Sequence, residues 1–389
     1  MTRLLRTTAM VTVFVLIALL LPVGAFAKTL EEWMEGYDTG AIWFGEDFHY
    51  DITDEEACWE LLMKPITVPD AGQKEMIAPR TGPGQEYPKV NEDKLGGTIN
   101  GDAAAVHVLG DDENGWTKIE GLDYYNRIIR GYVRTDLLKT TTPRDDYGII
   151  IDKLTQQLYV FKEGKLWSSC AVSTGLPNDE QPYNETAAGE YLMVSRMGDF
   201  DSEGMICAMA LRFNSGDLLH EVPYLTNADG TKNYGYNEPK LGSKASHGCI
   251  RVQRRKTPEG INMKWIWDNR IRNTKLLIWE DWQGRQMDIP ADDFQLYYNP
   301  NGGDYYHSSS FCYMAPKRTF EPFNYGQLED EGFAKLKRCT YCAPVWRKAE
   351  IEARNAEYAP GGDHNAVLTA QQQKQYEKEA KEAEKANKK

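Results

Sequence analysis

Ala245-Ser246-His247-Gly248-Cys249-Ile250-Arg251 sets a hydroxyl, an imidazole, a glycine and a thiol in consecutive positions, with a guanidinium two residues on. A cysteine meant only for a core sits among Val, Ile and Leu, where it behaves as a small hydrophobe. Cys249 instead follows a glycine, which lets a backbone turn sharply or be approached closely. The stretch reads as the seat of a nucleophilic thiol. Such a thiol, with a free pKa of about 8.5, needs an imidazole or aligned backbone N–H groups to activate it.

The chain has six histidines, at 49, 107, 220, 247, 307 and 364. Only His220 and His247 fall in the region around Cys249. His247 is two positions from Cys249, and on a strand-like path i and i+2 share a face. His220, in Leu218-Leu219-His220-Glu221-Val222-Pro223, falls at a strand end beside a proline, where a side chain can face a cleft.

Residues 146–282 read as one mostly β region. Tyr147–Asp152 is a buried strand. Glu163-Gly164 joins Gln157–Lys162 to Lys165–Val172 as a hairpin. Thr186-Ala187-Ala188-Gly189-Glu190-Tyr191 leads into a strand, Met205–Phe213 supplies another, and Lys275–Trp279 closes the region. One helix follows the Cys249 loop: Thr257-Pro258 resembles an N-cap with Pro at the first helical position, and Met263, Ile266, Trp267 and Ile271 repeat at helical spacing. Cys170 and Cys207 read as strand residues, and no sequence signal pairs them in a disulfide.

This region resembles the catalytic domain of the L,D-transpeptidases, the YkuD-type cysteine enzymes of peptidoglycan. The residues that carry the resemblance are His220, the loop ending in Leu241-Gly242-Ser243-Lys244, the run Ser246-His247-Gly248-Cys249-Ile250-Arg251, the early hairpin and Thr186-x-x-Gly-Glu-Tyr. It implies that Cys249 is the nucleophile and His220 the general base. It implies that His247 and Ser246 shape the loop, and that backbone N–H groups near Gly248 and Cys249 form the oxyanion hole. Arg251 then holds either the loop or a substrate carboxylate. Two features depart from the family pattern. Residues 224–240 lengthen the interval from His220 to Cys249, and Glu221 replaces a smaller residue, so that its carboxylate either raises the imidazole pKa or points to solvent.

The implied reaction is acyl transfer through a thioester. Cys249 attacks the L-to-D amide of a tetrapeptide stem, D-Ala leaves, and the amine of another stem takes the acyl group in a 3–3 cross-link. The same intermediate taken by water, or by a different amine, gives an L,D-carboxypeptidase or an amine-attaching transferase. A non-catalytic wall-binding protein that keeps the fold is the reading from another class. The resemblance also implies acylation of Cys249 by carbapenems, and no cofactor for the catalysis.

Outward from this region the chain divides further. Residues 1–27 read as a signal peptide: Arg3 and Arg6, an apolar run Ala9–Leu21, then Ala25-Phe26-Ala27 for cleavage. The run falls short of the roughly 20 residues that span a bilayer, which favours cleavage over an anchor and leaves no stable membrane span. The mature chain is then exported, extracytoplasmic and associated with the cell wall. Residues 28–70 read as an N-terminal helical segment, with amphipathic candidates at Leu30–Met34 and Glu55–Leu62, the second capped by Asp54 and ended by Pro65.

Residues 71–142 carry short strands at Val106–Leu109, Trp116–Ile119 and Ile129–Arg134, as in a small barrel. Arg80-x-Gly82-Pro83-Gly84-x-x-Tyr87, Gly115-Trp116-x-Lys118-Ile119 and Gly131-Tyr132-Val133 resemble bacterial SH3-like domains, which implies contact with wall peptide; a purely structural spacer is the alternative. The overall class is mainly β and multi-domain. The net charge of −13 argues against a nucleic-acid partner, which needs a basic face.

Residues 294–348 form a Cys-rich module with a helix expected within Tyr325–Leu336. His307, Cys312, Cys339 and Cys342 offer three thiolates and an imidazole, with a Cys-x-x-Cys pair. That set suits a closed structural zinc site. A disulfide in an oxidising compartment and free thiols are the competing readings. The seven cysteines are an odd number, so at least one has no disulfide partner within the chain. The tail, 349–389, is rich in Lys, Glu, Ala and Gln and reads as a solvated helix or a disordered end.

Overall fold

A computed structural model describes residues 50–359 and 362, apart from 73–74, 92–96, 178–183, 194, 215, 271, 282–284, 311, 313–319 and 340–341. The export signal, the Leu30–Met34 candidate and the tail beyond 362 lie outside the described residues. Among the described residues no helix is long and apolar enough to cross a membrane. The described chain is mainly β, as expected.

Helix α1 spans Glu55–Met63. Asp54 caps it by accepting the Ala57 N–H at 3.1 Å, and Glu55 and Glu56 sit favourably at the positive end of the helix dipole. The residues that follow are strand, not a continuation of a helical segment. Strand β1 (Ile66–Pro69) leads to β2 (Met76–Ile77), β3 (Ile99–Asn100), β4 (His107–Val108), β5 (Trp116–Leu122), β6 (Ile128–Arg134) and β7 (Leu138–Thr141). Pairing is β1–β7, β2–β3 and β4–β5–β6. Asp123 builds the turn between β5 and β6, accepting the N–H groups of Tyr125 and Arg127 at 2.9 Å each.

The remaining strands of the central region are β8 (Gly148–Asp152), β9 (Gln157–Lys162), β10 (Lys165–Ser173), β11 (Gly189–Leu192), β12 (Ser195–Ser202), β13 (Met205–Arg212), β14 (Leu218–Glu221), β15 (Leu225–Thr226), β16 (Lys232–Asn233), β17 (Ile250–Val252) and β18 (Lys275–Trp279). Nine of them make one sheet in the order β11-β18-β8-β9-β10-β17-β14-β13-β12. Strands β8 and β18 are buried at every position and pair in parallel, as strands covered on both faces do. The β9–β10 hairpin turns through Glu163 (φ 52°) and Gly164 (φ 78°), the positive pair that matches strand twist. The β11 edge is covered by 103–105: Ala105 N–H donates to Glu190 O at 2.9 Å and Leu192 N–H to Ala103 O at 3.0 Å.

Helix α2 spans Met263–Asn269, later than expected. Its cap is Asn262, which accepts the Trp265 N–H at 2.9 Å. Thr257 instead closes a turn, accepting the Ile261 N–H on its hydroxyl, and Gly260 at φ 91° breaks any helix begun at Pro258. Met263 and Ile266 pack into the main core with Leu219, Ile250 and Val252.

In the C-terminal module β19 (Gln295–Tyr298), β20 (Tyr305–His307), β21 (Glu321–Asn324) and β22 (Lys337–Arg338) form a sheet in the order β21-β19-β20-β22. The helix expected within 325–336 is only a 3-10 turn at Tyr325–Gln327. The acidic Glu329-Asp330-Glu331-Gly332 run has no apolar stripe to bury, and it forms turns. The start of the tail is more structured than its composition suggests. Helix α3 (Lys348–Tyr358) buries Ile351 and Tyr358, and the Tyr358 hydroxyl donates to Asp281 Oδ2 at 2.7 Å.

Candidate active site

Cys249 stands immediately before β17, beside β14. These two strands run parallel, with Leu219 opposite Ile250, His220 opposite Arg251 and Glu221 opposite Val252. The arrangement places the thiol at the start of β17 and the His220 imidazole on the neighbouring β14, both interior strands of the nine-stranded sheet. Antiparallel partners on both sides, β10 and β13, fix the pair in place.

The strand-like path expected for 246–249 is absent; these residues form a bend with Gly248 at φ 112°. A Cβ on Gly248 would lie 2.6 Å from Asp217 Oδ1, so the position demands glycine both for its dihedral and for space. His247 consequently points outward. Its side chain is half exposed, with Nδ1 4.0 Å from Glu203 Oε1.

Three straps hold the bend. Thr174 O accepts the N–H groups of Ala245 at 3.0 Å and Ser246 at 3.1 Å, while Leu176 N–H donates to Ser246 O at 2.9 Å. The Thr186 hydroxyl donates to Gly248 O at 2.6 Å and accepts the Gly175 N–H at 2.8 Å. The Ser246 hydroxyl donates to Cys249 O and accepts the Gly248 N–H at 3.3 Å. Since Ser246 takes the Gly248 N–H, that group is not free for an oxyanion. This corrects the expectation that it helps to form the hole.

His220 is buried, and its Nδ1 lies 2.7 Å from Glu221 O. A carbonyl only accepts, so the proton is on Nδ1 and Nε2 carries the lone pair. Burial lowers the imidazole pKa to about 4, which leaves it neutral at neutral pH. The Glu221 carboxylate neither raises that pKa nor faces solvent; it is buried and accepts the Tyr234 hydroxyl at 2.8 Å.

The Cys249 thiol is pushed up to about 12 by burial and then by the charge of Asp217, against a backbone N–H donated by Leu218. The resting pair is therefore thiol and neutral imidazole, not thiolate and imidazolium. Among the described residues no hydrogen bond joins them. Asp217, placed by Asn214, is itself pushed up to about 7 by burial.

Arg251 is buried, and its Nη1 donates to Asn237 Oδ1 at 3.3 Å. Of the two roles expected for it, holding the loop is the one its contact serves. The 224–240 insertion is ordered by the same stitching: Asn237 Nδ2 donates to Pro223 O at 3.1 Å and the Ser173 hydroxyl to Lys240 O at 2.7 Å. Behind the bend lies a buried ionic cluster. Lys153 Nζ is 2.6 Å from Glu280 and 3.0 Å from Asp281 and also contacts Glu185; Lys244 Nζ is 2.5 Å from Asp281.

Residues 146–278 match the model of the L,D-transpeptidase catalytic domain, YkuD. This segment is a YkuD-type domain. A search of curated proteins finds no match.

Three of the solved structures that show likeness to the chain are the following. The first is a Clostridium acetobutylicum protein titled a fused Zn-dependent amidase/peptidase/peptidoglycan-binding domain-containing protein: 21% identity, 36% of this chain and 54% of that one, TM-score 0.24. The second is an L,D-transpeptidase from Stackebrandtia nassauensis: 17% identity, 35% and 57%, TM-score 0.26. The third is an L,D-transpeptidase from Mycobacterium tuberculosis H37Rv: 14% identity, 61% and 89%, TM-score 0.28. The match spans little more than half of the first two proteins.

His220, Ser246, Gly248, Cys249 and Arg251 thus gather around the parallel β14–β17 pair, while His247 stands at the rim. The zinc-ligand candidates His307, Cys312, Cys339 and Cys342 cluster separately in the C-terminal module. Thr186 and Asp217 escaped the sequence reading. Thr186 lay in a run that carried the resemblance but gave its hydroxyl no role; Asp217 sits in Asn214-Ser215-Gly216-Asp217, which reads as an ordinary turn.

Proposed function

We propose that this chain is an exported peptidoglycan L,D-transpeptidase with Cys249 as nucleophile. The observation that carries the reading is the pairing of a strapped Cys249 with a His220 whose Nδ1 proton is committed to Glu221 O. His220 Nε2 takes the thiol proton as sulfur attacks the carbonyl of the L-to-D amide in a tetrapeptide stem. Because the thiol is high and the imidazole low, transfer accompanies attack rather than preceding it. The C–N bond breaks, D-Ala departs with the proton held by His220, and an acyl thioester remains on Cys249. The amine of a second stem then attacks, returns a proton through His220 and frees the thiol. No metal or organic cofactor enters these steps. Carbapenems, as strained acyl donors, acylate the same sulfur.

Residues 71–142 serve wall binding in this reading. A surface hollow lined in part by Arg80, Trp116 and Val133 supports it, since these belong to the motifs that resemble SH3-like domains.

Incubating the mature chain with tetrapeptide muropeptides, read by mass spectrometry, tests the proposal. Cross-linked dimers with loss of D-Ala support it. Tripeptides alone make the enzyme an L,D-carboxypeptidase. No product, with Cys249→Ala indistinguishable from wild type, leaves only a wall-binding role.

A further inference from the structure

The four side chains His307, Cys312, Cys339 and Cys342 come from separate parts of the C-terminal module. His307 ends β20, Cys312 follows it in a loop, and Cys339 follows β22. All four are buried, and their ligand atoms lie within 4.8 Å of one another. None of the seven cysteines is in a disulfide.

Two of the internal spacings are diagnostic. Cys312 Sγ is 3.8 Å from Cys339 Sγ, and Cys342 Sγ is 3.6 Å from His307 Nδ1. Ligands at about 2.3 Å for sulfur and about 2.05 Å for nitrogen around a tetrahedral centre give edges of about 3.8 Å and about 3.6 Å. A disulfide needs its sulfurs at about 2.05 Å, far inside what is seen. Four soft or borderline donors with their ligand atoms this close together are a ligand set, not merely a core.

The surroundings fit the same centre. Ser308 N–H is aimed at Cys342 Sγ at 3.4 Å, and the Ser308 hydroxyl donates to Cys342 O at 2.8 Å. Ala343 N–H donates to Cys339 O at 3.1 Å, and Ala343 at φ 39° turns the chain just past the Cys-x-x-Cys pair. Arg338 is clamped onto the same turn through Ala343 O and Pro344 O. Its positive charge offsets the net single negative charge that three thiolates and one neutral imidazole leave on a divalent ion. Phe320 lies against the His307 ring, with centroids 4.4 Å apart.

We infer that this cluster binds one Zn²⁺ as a closed structural site, with His307 Nδ1 and the three sulfurs as its ligands. On binding, the three thiols release their protons to solvent, and no position is left for substrate. Among the described residues the other buried cluster with metal-ligand spacing, Glu185, Glu280 and Asp281, is already ion-paired with Lys153 and Lys244. The zinc site faces the catalytic domain across a cavity of about 270 Å³, lined by Arg338 and Ala343 on one side and Glu238, Pro239 and Leu241 on the other.

The test is metal analysis of the full chain purified without chelators. One zinc per chain is expected, released when an organomercurial titrates the thiols and measured by a colorimetric zinc dye. Cobalt exchanged into the site should show the thiolate-to-metal and ligand-field bands of a tetrahedral centre with three sulfur ligands and one nitrogen. Cys339→Ser should lose the metal and lower Tm by roughly 10 °C or more. Wild-type protein that is folded and metal-free, or that holds iron instead, overturns the assignment, as does a Cys312–Cys339 disulfide found by peptide mapping. The metal and cobalt readouts need no fold from the variant and no activity at Cys249, so they stand apart from the transpeptidase reading.

Discussion

Cys249, half-buried, and the buried Cys312–Cys339–Cys342 cluster are two thiol sites that are stabilised in opposite ways. Around Cys249 the protein has spent its hydrogen bonds on the backbone: Thr174, Thr186 and Ser246 hold the bend, and the sulfur itself is left to one Leu218 N–H. Around the C-terminal cluster the sulfurs face each other and an imidazole. A lone thiol in a rigid bend stays protonated until a base removes its proton. Several thiols in one small volume instead call for a cation. On the proposed readings, the difference separates a site that must change its protonation during a turnover from one that must not.

That contrast breaks most sharply at the histidines. His220→Ala should lower the acylation rate of Cys249 by roughly 10³-fold, as loss of a general base does, without changing zinc content. His247→Ala, at the exposed rim, should cost far less. The reverse order, measured by stopped-flow acylation with a carbapenem, would return the base to His247.

Gly248→Ala comes next. The added methyl meets Asp217 Oδ1, and the φ of 112° disfavours any L side chain. A misplaced thiol should cost on the order of 10²-fold in acylation while the fold persists by circular dichroism. An unaffected rate would mean that the bend relaxes freely. Thr186→Val removes a buried donor to Gly248 O, at a cost of about 1 kcal/mol or roughly fivefold in rate.

The smallest effect concerns pH. His220 must be neutral to accept a proton, so acylation should fall as pH drops toward the imidazole pKa of about 4. Asp217 ionises as pH rises through about 7, and its negative charge then disfavours thiolate formation. Wild-type acylation should decline modestly across that range, and Asp217→Asn should be flat there. A decline that persists in the variant would assign it to another group.

Much of this was legible in the sequence. The proposed nucleophile, base and zinc-ligand set are rare residue types that stand out in the sequence, and β8, β9, β10 and β18 declare themselves by apolar runs and a Glu-Gly turn. What was hidden depended on partners distant in the chain. Thr186 matters because Gly248 O happens to lie above it, and Lys153 is fully buried only because Glu185, Glu280 and Asp281 converge on it. Thr257-Pro258 carried a helix-start signal, yet Asn262 won because Gly260, at φ 91°, intervenes and Asn262 accepts the Trp265 N–H. The tail misled for a similar reason. Its composition is solvated, but α3 buries Ile351 and Tyr358, and the Tyr358 hydroxyl reaches Asp281 just past β18.

The central claim is that Cys249, alone among seven cysteines, takes the acyl group. Intact-mass spectrometry of the full chain after brief exposure to a tetrapeptide donor stem, followed by peptide mapping, measures this directly. The account predicts a single adduct on Cys249, heavier by the donor less D-Ala and removed by hydroxylamine as a thioester is. An adduct on another cysteine, or none on Cys249 when D-Ala is released, would contradict it.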